Sequence, residues 1–83
     1  MSSLKSSFVK RDTIDLRALG RRMRELRGFD LKQKELANEL GISQSQLSKY
    51  ERGVMAPPAD VLFSLKRRFR VKIDWLLTGD PDD

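Results

Sequence analysis

The sequence predicts an all-α fold of five short helices in one small domain. Apolar residues recur at spacings of three and four in successive segments, and no segment alternates apolar with polar residues as a half-buried strand does. Most segments stop at a glycine, namely Gly28, Gly41, Gly53 and Gly79. Because 83 residues build only a limited core, pairing with a second copy is an expected source of stability.

The first predicted helix starts near Thr13, with Asp12 or Thr13 as its cap, and ends at Gly28. Its apolar stripe has spacings of three, four and three: Leu16, Leu19, Met23 and Leu26. Residues 1–12 are serine-rich and basic and show no such periodicity. They predict a flexible arm, which is either a plain disordered terminus or a segment that lies along a DNA groove or backbone.

The second predicted helix covers residues 33–40. It buries one face and stops at Gly41. Lys32 stands where Ser or Thr would cap the helix, and lysine is a poor cap, so this helix is expected to fray at its start.

The third predicted helix covers residues 44–52, and two signals mark its start. Ser43 and Gln46 have the spacing of a capping box, while Ile42 and Leu47 have the spacing of a hydrophobic staple. Because these signals are independent of each other, this helix start is the best defined in the chain.

The fourth predicted helix has Pro58 in its first turn and a stripe of Leu62, Leu65 and Phe69. The fifth covers residues 73–78. Its apolar run is predicted to be core, with part of the run as an alternative dimer surface: Trp75, Leu76 and Leu77.

Charge distinguishes the predicted domain, residues 13–79, from an acidic tail at residues 80–83. The net charge is +5, and leaving out Asp80, Asp82 and Asp83 leaves 17 basic against 9 acidic residues, or +8. A body this basic suits attraction to phosphate, although ordinary solubility charge is the alternative.

Composition argues against an enzyme. The chain has no cysteine and no histidine, which removes thiol nucleophiles, imidazole bases, zinc sites and disulfides. Glu35 and Glu39 have the spacing of a surface pair on a helix rather than of an acid–base dyad. No metal, cofactor or small-molecule ligand is therefore predicted. No apolar run reaches the roughly 18 residues of a membrane span, so a cytoplasmic, nucleoid-associated protein is expected.

The segments 33–40 and 44–52 are joined by a three-residue turn that begins with Gly41, which predicts a helix-turn-helix. In that geometry the second helix enters the major groove of DNA. At about 100° per residue, the outward face of this helix is polar or cationic: Ser45, Ser48, Lys49 and Arg52. Gln44 projects from the first turn, which a helix entering the groove presents to the DNA. Gln can pair with adenine, Lys can donate to guanine and Ser suits either kind of base. The alternative is a solvated helix face.

Four stretches of the sequence form a longer pattern. They are "RMRELR" at 22–27, "LKQKELANELGIS" at 31–43, "QLSKYERG" at 46–53 and "DWLLTGD" at 74–80. Together they resemble the phage-repressor and Cro-like helix-turn-helix family, often called XRE. The resemblance implies a compact five-helix lambda-repressor-like domain that binds a double-stranded DNA operator with two half-sites as a homodimer.

The resemblance also implies roles for single residues that contact DNA bases. Gln44, Ser45 and Lys49 match positions that usually reach base edges, and Ser48 is predicted as a further base contact because it lies beside them.

Other residues match positions that contact the DNA backbone or hold the fold. Gln33 matches a glutamine that bonds a phosphate and supports the residue at Gln44, and Arg52 matches a phosphate-contacting segment. Lys32 adds a cation close to the backbone. The resemblance further implies a structural ion pair, formed by Arg27 and Glu51.

Two functions remain open at this point. The first is a sequence-specific DNA-binding transcriptional regulator, either a repressor or a small autoregulatory controller. The second is an antitoxin-like or other protein-interaction module on the same fold. The polar face of residues 44–52 and the basic body favour DNA binding.

Overall fold

The computed structural model describes residues 13–80. That range contains five helices and no strand, which confirms the predicted all-α class. The helices are α1 (Leu16–Arg27), α2 (Gln33–Leu40), α3 (Gln44–Glu51), α4 (Ala59–Phe69) and α5 (Ile73–Thr78). The predicted arm, residues 1–12, lies outside the described residues, as do positions 81–83 of the predicted acidic tail.

The start of α1 differs from the prediction. Helix α1 begins at Leu16, and Thr13 does not cap it, while Asp12 lies outside the described residues. Asp15 is the cap, because its Oδ1 accepts a hydrogen bond from the backbone N–H of Ala18 at 3.1 Å. Several polar residues precede the apolar stripe, and the one nearest to it caps the helix.

Two other helix ends differ by a single residue. Helix α3 ends before Arg52, whose backbone N–H still donates to the carbonyl of Ser48 at 3.0 Å. Pro58 precedes α4 and does not occupy its first turn. The carbonyl of Pro58 accepts hydrogen bonds from the N–H groups of Val61 and Leu62, so this proline ends the loop and starts the helical hydrogen bonding.

Helices α2 and α3 begin in related ways. At α3, the N–H of Gln46 donates to Ser43 Oγ at 3.0 Å, and the N–H of Ser43 donates to Gln46 Oε1 at 2.9 Å. At α2 only the second half of this box forms, because a lysine side chain cannot accept a hydrogen bond. The N–H of Lys32 donates to Glu35 Oε1 at 2.8 Å. Glu35 therefore caps α2 and is more than a member of a surface pair.

The core takes one stripe from each helix. The buried cluster consists of Leu19, Met23, Leu36, Ala37, Leu47, Tyr50, Val61, Leu65 and Leu76. In the apolar run of α5, Leu76 is fully buried, whereas Trp75 and Leu77 are half-buried and pack against the cluster. The prediction that all three are core is thus correct for Leu76 and only partly correct for its neighbours.

Helices α1 and α3 approach each other closely at two glycines. A Cβ atom on Gly20 would meet the carbonyl oxygens of Tyr50 and Glu51. Gly53 has φ 74°, and a Cβ atom there would lie 2.6 Å from the Cα of Arg17. These contacts let the end of α3 lie directly against α1.

We expect Gly20→Ala to lower the free energy of unfolding by about 1–3 kcal/mol, as overpacking in a dense site does. Alanine gains about 1 kcal/mol of helix propensity at this position. The steric cost outweighs that gain because the atoms that a new methyl group meets belong to the backbone and cannot rotate away. Urea unfolding measures the change, and a raised midpoint would show that helix propensity dominates.

Candidate nucleic-acid interface

The turn between α2 and α3 leaves one face of α3 uncovered. Gly41 adopts the left-handed conformation, with φ 71° and ψ 29°. The N–H of Ile42 then donates to the carbonyl of Ala37 at 3.0 Å, which closes the end of α2 and reverses the chain. Leu36 and Leu47 are both fully buried in the core cluster that α2 and α3 share. The opposite face of α3 is consequently directed away from the domain.

The predicted base-contacting residues lie along that uncovered face. Gln44 and Ser45 are exposed in the first turn of α3, while Ser48 and Lys49 are half-buried in its middle. Arg52 is exposed just beyond the last turn, and its Nε donates to Ser48 Oγ at 3.3 Å. The face therefore presents amide and hydroxyl groups at its start and cations towards its end.

Arg27 and Glu51 form a two-point ion pair between α1 and α3. Arg27 Nε lies 2.8 Å from Glu51 Oε2, and Arg27 Nη2 lies 2.8 Å from Glu51 Oε1. The side chains are only 16% and 4% exposed. The hydrogen bond to Glu51 raises the pKa of Arg27 above its usual value, as does the negative charge of Glu51, although burial opposes this rise. Arg27 Nη1 also donates to the carbonyl of Leu31 at 3.3 Å.

A chain of hydrogen bonds extends from this ion pair to the first residue of α3. Gln33 Nε2 donates to Glu51 Oε1 at 3.0 Å, and Gln44 Nε2 donates to Gln33 Oε1 at 3.3 Å. The structure thus brings four predicted site residues into one network. Sequence reasoning did not predict the bond between Gln33 and Glu51, which joins the ion pair to the glutamine pair.

The network fixes which way each amide points. An ionised carboxylate only accepts hydrogen bonds, so Glu51 requires the NH₂ group of Gln33 to face it. The Oε1 of Gln33 must then face Gln44, which uses one N–H to reach it. Gln44 keeps its carbonyl oxygen and a second N–H for a ligand, and this is the pair of groups that adenine N6 and N7 require.

The predicted backbone-contacting residues lie at the two ends of the α3 face. Gln33 is the first residue of α2, and its bond to Gln44 places the start of α2 beside the start of α3. Lys32 precedes it and is exposed. Arg52 lies at the other end. Cationic or amide groups therefore lie at both ends of the predicted base-contacting residues.

A basic groove beside α3 was not predicted from the sequence. It is an open groove of about 620 Å³ between α1 and the segment after α3, and it is lined by Arg17, Arg21, Arg24, Glu51, Arg52, Gly53 and Val54. The signal was present as a spacing of four and three between the arginines of α1. Arg22, which lies outside that stripe, instead donates from Nη1 to the carbonyl of Leu76 at 2.9 Å and holds α5.

The end of α4 carries a basic stretch whose side chains are in solvent. Lys66, Arg67, Arg68 and Arg70 are all exposed. Arg68 Nε lies 2.6 Å from Glu39 Oε1 on α2. The Cζ atom of Arg67 lies over the ring of Phe63, 5.7 Å from its centroid. Within residues 13–80 no group of three or more carboxylates forms a metal site, and no helix is long and apolar enough to cross a membrane.

Comparison with known proteins decides the family. The sequence profile of a helix-turn-helix family matches residues 21–76, which is more than half of the chain. The chain belongs to the XRE-type helix-turn-helix family. The resemblance found in the sequence is thereby confirmed, and the family is one of DNA-binding regulators rather than enzymes.

Two related proteins of known structure share the fold of this XRE-type chain, and each is 30% identical to it in sequence. One is the P22 c2 repressor protein in complex with a synthetic operator, with a TM-score of 0.68 over 75% of this chain and 96% of that chain. The other is the restriction-modification controller protein C.AhdI from Aeromonas hydrophila, with a TM-score of 0.67 over 76% of this chain and 97% of that chain.

Two relatives from Bacillus subtilis (strain 168) are 39% identical. The HTH-type transcriptional regulator ImmR matches over 66 residues, which are 76% of this chain and 50% of ImmR. The uncharacterized HTH-type transcriptional regulator YobD matches over 64 residues, which are 74% of this chain and 57% of YobD. The XRE-type chain therefore spans about half the length of these relatives.

Proposed function

We propose that this protein is a sequence-specific DNA-binding transcriptional regulator that acts as a repressor or an autoregulatory controller. One observation carries the proposal: a hydrogen-bonded network from the Arg27–Glu51 ion pair orients Gln44 on the uncovered face of α3. The protein would gain little stability from orienting an exposed glutamine through three other residues, so we take this orientation to serve the binding of a ligand. The names of the relatives, which include a repressor and a controller protein, also support the proposal.

In the proposed complex, α3 lies in the major groove with its first turn towards the base edges. Gln44 pairs with an adenine, Lys49 donates to a guanine, and Ser45 and Ser48 contact neighbouring bases. Lys32 and Gln33 contact the DNA backbone at one end of α3, and Arg52 contacts it at the other. The phosphate contacts supply most of the affinity, and the base contacts supply the discrimination.

The proposed binding unit is a homodimer on an operator with two half-sites. A single module of this size buries only about 600–1,000 Å² on DNA, which limits its affinity. Two copies related by a two-fold axis would read half-sites about 34 Å apart. The half-buried Trp75 and Leu77 on α5 offer apolar surface to such an interface.

Binding to random duplex DNA tests this function against the protein-interaction alternative. We expect binding at about 50 mM salt that weakens steeply by about 200 mM, because released counterions drive phosphate binding. Selection from a random duplex pool should then yield a preferred sequence and its half-site spacing. Absence of binding at about 50 mM salt would favour the antitoxin-like module.

Replacing Gln44 tests the base contact. We expect Gln44→Ala to lose about 1–3 kcal/mol of binding free energy on the selected sequence and little on random DNA, because a base contact contributes to discrimination only. Gln46→Ala is the matched control, since Gln46 lies on the same helix but caps it through Ser43. Titrations of both variants on both duplexes measure the effect. An equal loss for Gln44→Ala on the two duplexes would rule out base reading.

A further inference from the structure

The groove between α1 and the end of α3 has one wall made of arginine side chains. Arg17, Arg21 and Arg24 lie four and three residues apart on α1, so they share one face of that helix, and all three are exposed. Arg52 and Gly53 form the facing wall. We call these four arginines and the space between them the arginine groove.

None of the four arginines of the arginine groove forms an ion pair among residues 13–80. The ion pairs of that range are Arg27–Glu51 and Arg68–Glu39, and neither involves an arginine of the groove. Glu51 lines the groove, but Arg27 already holds both of its carboxylate oxygens. Arg17 and Arg21 lie four residues apart on α1 and repel each other, although Glu25 also lies four residues after Arg21. The groove thus gathers four guanidinium groups, none of which is held in an ion pair within the described residues.

The arginine groove is continuous with the face of α3. Arg52 belongs to both surfaces. Its Nε donates a hydrogen bond to Ser48 Oγ on the face of α3, and its side chain lines the groove. The close approaches at Gly20 and Gly53 hold the α1 wall directly beside the end of α3. A backbone strand that borders the major groove would pass this end of α3 and lie beside the α1 arginines.

We propose that the arginine groove binds the phosphate groups of a DNA backbone strand beside the half-site that α3 reads. Guanidinium groups match phosphate oxygens in bidentate geometry. From Arg17 to Arg24 the helix rises about 10 Å, so the stripe is long enough to face more than one phosphate of a single strand. The inference rests on the proposed DNA binding and adds an anchoring surface to it. The groove contributes affinity and register, not base discrimination.

A triple variant of the full chain tests the arginine groove. We expect Arg17→Gln, Arg21→Gln and Arg24→Gln together to flatten the plot of log binding constant against log salt by about 0.9 unit for each phosphate that the variant no longer neutralises. The ratio of affinities for the selected sequence and for random DNA should stay unchanged, because these residues do not touch bases in the proposed complex.

The matched control removes the same charge from α4, through Lys66→Gln, Arg67→Gln and Arg70→Gln. These residues are exposed and none of them is a proposed DNA contact. A thermal unfolding midpoint for each triple variant shows that the fold persists. The proposal holds if the α1 triple flattens the slope clearly more than the α4 triple does.

Two results would overturn the proposal, and they have different meanings. If the unaltered protein binds DNA but both triple variants change the slope equally, net charge alone explains the effect and the groove is not a DNA site. If the unaltered protein shows no salt-dependent DNA binding, the proposed function fails and the groove proposal fails with it. If the arginine groove binds an acidic protein instead of DNA, the first of these two results is expected.

Discussion

Glu51→Ala is expected to lower the free energy of unfolding by about 3–5 kcal/mol, the usual cost of removing one partner of a buried ion pair. The substitution leaves the Arg27 guanidinium, whose side chain is only 16% exposed, without its two hydrogen bonds to the carboxylate. It also leaves the Nε2 of Gln33 without its acceptor. Because small domains are stable by about 5–15 kcal/mol in total, this loss is a large fraction of the free energy of unfolding.

Urea unfolding measures the cost of Glu51→Ala, and the matched control is the same substitution in an exposed arginine–glutamate pair. Glu39→Ala removes the partner of Arg68, where the side chains are 46% and 40% exposed. Exposed pairs contribute about 0–1 kcal/mol because water solvates both charges when they separate. A cost for Glu51→Ala as small as the cost for Glu39→Ala would show that Arg27 reaches solvent easily and that the ion pair does not hold α1 against α3.

The helices were predictable because their signals are local. Ser43 and Gln46 lie within one turn of each other, and the structure forms the capping box that their spacing predicts. The start of α2 also depends on local contacts. The Lys32 side chain cannot accept a hydrogen bond, and the backbone N–H of Lys32 donates to Glu35. The fraying expected at this start stays a prediction. Helix α1 starts later than predicted because Asp15, and not an earlier polar residue, reaches the N–H of Ala18.

The arrangement of the site depended on contacts that no local pattern contains. Family resemblance implied two separate pairs, Arg27 with Glu51 and Gln33 with Gln44. The bond from Gln33 to Glu51 joins them only because α1, α2 and α3 meet at one point. The arginine groove is similar in this respect. Spacing reveals a stripe on α1, but its second wall exists only because Gly20 lets the end of α3 come close.

The second large effect is expected at Leu47, which fixes α3 to the domain. Its side chain is 0% exposed, and we expect Leu47→Ala to lower the free energy of unfolding by about 2–5 kcal/mol through reduced burial and the cavity that remains. Helix α3 has only eight residues, far fewer than the roughly 12–15 that an isolated helix needs in water. Its order therefore depends on packing, and Leu47 is the fully buried side chain that it contributes.

Hydrogen exchange combined with urea unfolding separates anchoring of α3 from general loss of core. Leu65→Ala is the matched control, because Leu65 is also 0% exposed but lies on α4. If Leu47 anchors α3, the proposed DNA-reading helix, its replacement should speed exchange in α3 relative to α1, whereas Leu65→Ala should not change that ratio. Equal acceleration in α1 and α3 for both variants would mean that the domain opens as one unit. In that case the whole core, and not Leu47 in particular, would hold Gln44 in position.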